Sequence, residues 1–68
     1  MNTEEQLKEE VTILMEFIKN YENLEIRATE LKSKGQFLAA RTCIEQSREY
    51  FKLAENQRTY LKILINKL

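Results

Sequence analysis

Cys43 is the only thiol in the chain, and His is absent. Without an imidazole there is no side chain that titrates near neutrality unperturbed, no neutral nitrogen ligand for a metal, and no base for a His-centred triad. A lone Cys makes neither an intrachain disulfide nor a thiolate zinc cluster. It suits a reducing compartment and a small hydrophobe packed on an apolar helix face. The carboxylates are the remaining candidates for chemistry, and most of them fall on polar helix faces. Glu25, and after it Glu10, stand singly beside apolar rows, where a polar group that fixes register is a better fit than acid–base catalysis. There is no phosphate-binding loop, metal-ligand spacing or nucleophile elbow. The sequence therefore predicts a protein that is not an enzyme, with no catalytic residue, metal, cofactor or small-molecule substrate.

The elements that must position these residues follow from what the chain lacks. It has 68 residues, 43% of them hydrophobic, with no Pro and a single Gly. That Gly, at position 35, divides two stretches of helix-forming composition. Thr3 followed by Gln6 matches a capping box, and Glu4 and Glu5 suit the positive end of a helix dipole. Lys32 and Lys34 suit the negative end, and Gly35 can take the left-handed conformation that closes a helix. Asn20 is the one weak point inside this first helix and a candidate kink. Residues 1–68 thus read as one all-α domain, an antiparallel two-helix hairpin with long helices at about 3–33 and 36–67, each roughly 46 Å long at ~1.5 Å per residue.

Heptad spacing supports this. Leu7, Val11, Leu14, Ile18, Tyr21 and Ala28 alternate steps of four and three, with Phe17, Leu24 and Leu31 as a flanking row and Glu25 interrupting the seam. In the second half, Phe37, Ala40, Ile44, Ser47, Phe51, Ala54, Arg58, Leu61, Ile65 and Leu68 hold the same alternation, with Cys43, Tyr50, Gln57 and Leu64 beside them. Apolar stripes this wide are broader than one neighbouring helix can cover. The expected remedy is a second hairpin, completing a four-helix bundle, or packing on a different protein.

The zero net charge hides a division. Residues 1–34 carry eight acids and five bases, and residues 35–68 carry three acids and six bases. An antiparallel fold lays the acidic start (Glu4, Glu5, Glu9, Glu10) beside the basic end (Arg58, Lys62, Lys67), while Glu4–Lys8 and Glu30–Lys34 have helix-supporting spacing. The overall balance argues against a nucleic-acid or membrane-surface binder. The first ten residues hold four glutamates and no apolar run, unlike a signal peptide, and no stretch has the length and apolarity of a membrane span. A cytoplasmic protein is expected.

Some large apolar residues fall off the seam. Ile13 and Met15 on the first helix and Leu53, Tyr60 and Ile63 on the second do so, and together with Phe17 and Leu64 from the flanking rows they predict an interface toward the open end of the hairpin, for another protein or for a second copy. A nucleic-acid alternative rests on Arg41, Arg48, Lys52 and Lys62, with Tyr60 available to stack on a base, in a homodimeric four-helix bundle that binds RNA or regulates transcription. Glu45, Glu49 and Glu55 interleave with those bases and weaken their field.

In its size, its Thr3-Glu4-Glu5-Gln6-Leu7 start, its central Lys34-Gly35-Gln36-Phe37 turn and its apolar Leu61-Lys62-Ile63-Leu64-Ile65 end, the chain resembles the small helical-hairpin co-chaperones of the type III secretion needle subunit. The resemblance covers almost the whole chain but carries no sharp motif, so it assigns no individual residue a role. It implies a non-catalytic helper that binds a tetratricopeptide-type partner, the pair holding the needle subunit soluble before export.

Overall fold

The computed structural model describes residues 2–68. Two helices, α1 (Thr3–Ser33) and α2 (Phe37–Asn66), pack against each other as an antiparallel hairpin. The molecule measures 50 × 15 × 13 Å, so it is a rod one hairpin wide. α1 runs through Asn20 without interruption.

The start of α1 corrects the capping box. Asn2, not Thr3, is the N-cap: its side-chain oxygen accepts the Glu5 backbone N–H at 2.8 Å, and Thr3 is already helical. Asn is at least as good a cap as Thr, because its short side chain reaches back to an otherwise unpaired N–H of the first turn. Gln6 is then free to reach across the hairpin, where its Nε2 donates to the Tyr60 hydroxyl at 3.3 Å.

The turn is built as the sequence suggests. Gly35 has φ +75°, its N–H donates to the Lys32 carbonyl at 3.0 Å, and the Gln36 N–H donates to the Leu31 carbonyl at 2.9 Å. These two bonds form a Schellman motif, which satisfies carbonyls that the end of α1 would otherwise leave unpaired. A Cβ at position 35 would meet nothing within 4 Å, so the demand for Gly is purely conformational. Gly35→Ala is expected to cost about 1 kcal/mol, the strain of a non-Gly residue in the left-handed region. Thermal denaturation followed by circular dichroism measures it, and an unchanged midpoint would contradict this account of the turn.

The inner seam differs from the expected one in a systematic way. The rows Leu7, Leu14, Tyr21, Ala28 and Ala40, Ser47, Ala54, Leu61 do face inward. Their companions are the residues three positions on: Phe17, Leu24 and Leu31 on α1, and Cys43, Tyr50, Gln57 and Leu64 on α2. Of the residues four positions on, also expected inside, Ile18 and Ile44 are partly buried, but Val11, Phe37, Phe51, Arg58 and Ile65 are exposed. Rows three and four residues ahead lie on opposite sides of a shared row, so the hairpin had to choose one. The chosen row sets Cys43 beside Ala40 and carries only Glu10 as a charge, whereas the other carries Glu25 and Arg58. Ala40 is fully buried, and it packs with Ala28 and Cys43 beneath Leu24, Leu31 and Ile44. Phe37 and Phe51 are exposed and lie outside this cluster. Cys43 packs as a buried small residue, as expected.

Two polar pins cross the seam. Gln57 Nε2 donates to the Glu10 carbonyl at 2.8 Å and to Glu10 Oε2 at 2.6 Å. Ser47 Oγ donates to the Tyr21 carbonyl at 3.2 Å and lies 3.5 Å from Glu25 Oε1. Each satisfies partly buried groups only in this register, so sliding one helix along the other would strand them. The expected ion pairs between acidic start and basic end do not close. Arg41–Glu45, at 3.2 Å on α2, is the one ion pair within 4 Å among the described residues. Long charged side chains at an exposed end gain little from pairing and lose rotamer freedom, which accounts for the open geometry.

Candidate partner-binding faces

Around the seam, the residues one position before each inner row form one flank of the hairpin, and those four positions after it form the other. The first flank carries Gln6, Ile13, Asn20 and Arg27 of α1 with Gln46, Leu53 and Tyr60 of α2. The Gln6–Tyr60 hydrogen bond joins its two sides. A groove of about 600 Å³ runs along it, lined by Leu53 and the partly buried Leu24 and Tyr50 together with Asn20, Asn23, Arg27, Gln46 and Glu49. The second flank carries Val11, Ile18 and Glu25 of α1 with Phe37, Ile44, Phe51, Arg58 and Ile65 of α2. There the Phe51 ring meets the Tyr21 ring edge-on, with centroids 5.5 Å apart and planes at 80°.

The residues expected at the interface separate between these surfaces. Ile13, Leu53 and Tyr60 share the groove flank, with Ile63 just beyond Tyr60, and all four are exposed. Met15 is more exposed still, at 64%, but lies past the opposite flank and does not join them. Phe17 is partly buried in the inner row. Leu64 is a correction: it is buried between the helices and is unavailable to a partner, because the row beside the expected seam proved to be the seam itself.

Arg41, Arg48, Lys52 and Lys62 are exposed on the back of α2. Arg41, Arg48 and Lys62 share one helical row, with Glu55 interrupting it, and Arg41 already holds Glu45. That arrangement offers mixed charge rather than a basic stripe.

The sequence reading did not anticipate the second flank as an exposed apolar face. Val11, Phe37, Phe51 and Ile65 are each at least 44% exposed there, although all four had been assigned to the core. A signal was present in the charges: the outward rows contain Glu25 and Arg58, the inward ones only Glu10. No protein-family model, curated protein or solved structure matches the chain. Its faces must be read from their own chemistry. Among the described residues no cluster of His, Cys, Asp or Glu converges as metal ligands would, and no helix is long and apolar enough to cross a membrane.

Proposed function

We propose that this chain is a non-catalytic protein–protein interaction module, a small chaperone, adaptor or regulatory subunit that shields apolar helix faces of a partner. One observation carries the reading. Twelve large apolar side chains are at least 40% exposed on a rod of two helices, and no large side chain among the described residues is completely buried. Apolar surface on that scale, in a chain this short, favours association, since water contact with it is the dominant cost that burial relieves. The groove flank suits a single amphipathic helix, with Leu53 and Tyr60 as anchors and Leu24, Tyr50, Arg27 and Glu49 lining the groove. The resemblance to type III secretion co-chaperones supports the chaperone version, in which a tetratricopeptide-type protein would be the partner.

The test replaces groove-flank residues that the seam does not need. Tyr60→Asp with Ile63→Asp, made in the full chain, is expected to weaken capture of a co-purifying partner at least tenfold, about 1.4 kcal/mol. Helicity should be preserved, because both side chains lie outside the inner rows. Capture that is unchanged in the double variant would overturn the reading of this flank. Capture that instead falls steeply with salt would indicate nucleic acid, since phosphate contacts release counterions and apolar ones do not.

A further inference from the structure

We infer that the second flank is closed by a second copy of this chain, turned end for end, so that two hairpins form an antiparallel four-helix bundle with their turns at opposite ends. The inference rests on reading the exposed apolar faces as interfaces, and it deepens that reading by naming an occupant. The register set by Tyr21–Ser47 and Glu10–Gln57 orders this flank in layers. Ile18 and Phe51 form the middle. One heptad toward the turn lies Glu25 beside Ile44, and one heptad toward the termini lies Val11 beside Arg58.

Glu25 and Arg58 are thus placed symmetrically about an apolar centre, with opposite charge. Neither has an ion-pair partner within its own hairpin, since the only pair among the described residues is Arg41–Glu45. A twofold axis through the Ile18–Phe51 layer, perpendicular to the rod, brings Glu25 of each copy into the layer of Arg58 of the other, twice over. One layer further out, the same operation sets Lys32 opposite Glu4. The alternative twofold, along the rod, keeps the turns together and places Glu25 near Glu25 and Arg58 near Arg58. Charge complementarity therefore selects the end-for-end arrangement, an isologous contact in which one patch meets itself. A face with outline dimensions of 50 × 15 Å is of the order of the roughly 800 Å² per partner of a standard stable interface.

Sedimentation equilibrium of the purified full chain at tens of micromolar is expected to give the mass of two 8.2 kDa chains. Glu25→Arg and Arg58→Glu should each raise the dissociation constant at least tenfold, and the two together should restore it. Both positions are exposed, and Ser47 keeps its bond to the Tyr21 carbonyl when Glu25 is replaced, so circular dichroism should show intact hairpins throughout. A spin label at Lys34→Cys, in a Cys43→Ala background, should report a separation between copies near the 50 Å length of the rod. A monomer, single-charge variants that dimerise normally, or a short label separation would each overturn the proposal. So would a monomeric chain that loses a captured protein on Phe51→Asp, which would assign this flank to a different partner. A dimer lost here while the Tyr60–Ile63 surface still captures its partner would leave the proposed function standing.

Discussion

Truncating Leu61 to Ala is expected to lower the unfolding free energy by about 2–4 kcal/mol, the range for removing a buried leucine and leaving a partly collapsed cavity. For 68 residues the total stability falls at roughly 3–10 kcal/mol, so one such change removes a large share of it. Leu61 and Leu64 are the only large side chains in the buried set among the described residues, the others being Ala28, Ala40, Cys43, Ser47 and Ala54. With so few bulky residues inside, no neighbour is positioned to refill the space. Urea denaturation followed by far-ultraviolet circular dichroism, at one fixed chain concentration because association shifts apparent stability, measures the loss. A change below about 1 kcal/mol would mean that Leu61 is not part of the core.

Enlarging the seam should damage it as surely as emptying it. Ala40→Leu is expected to cost about 1–3 kcal/mol, because Ala40 has no exposed surface and sits with Ala28 and Cys43 where the helices leave no room for a longer side chain. The helices must either separate near the turn or force the new leucine off its rotamer. Ala39→Leu is the control: Ala39 is exposed, and the same change there should stay within about 0.5 kcal/mol. Equal effects at positions 39 and 40 would refute the assignment of the inner row.

The hairpin itself was legible in the sequence, and for physical reasons. A chain without Pro and with one Gly offers the backbone only one place to reverse, and Lys32, Lys34 and Gly35 together mark a helix end. Half of each seam was legible too, because Leu7, Leu14, Tyr21, Ala28 and Ala40, Ser47, Ala54, Leu61 keep strict heptad spacing. The other half was not. Both candidate companion rows contain apolar residues, Ile18, Phe51 and Ile65 in one and Phe17, Leu24 and Leu64 in the other, so hydrophobicity alone does not choose between them. What separates them is charge, Glu25 and Arg58 in the first against Glu10 alone in the second, together with the close packing of Ala28, Ala40 and Cys43, which is a property of the packed pair rather than of either helix. The same ambiguity reaches the candidate site: Leu64, read as standing beside the seam and available to a partner, is buried in it, and the exposure of the Phe51 flank does not follow from heptad spacing. Ile13, Leu53, Tyr60 and Ile63 belong to neither row and are exposed.

The single turn at Gly35 also imposes an order in time. Contacts at Ala28 and Ala40 close a short loop around that turn, whereas Leu61 meets α1 only across most of the chain's length. Loop-closure entropy rises with the span enclosed, but each layer that forms shortens the free loop left for the next. Folding therefore runs as a zip from the turn toward the termini, and the large leucines close last. Opening runs in reverse, so the two chain ends separate first and expose Leu61 and Leu64 while the alanine layers near the turn are still joined.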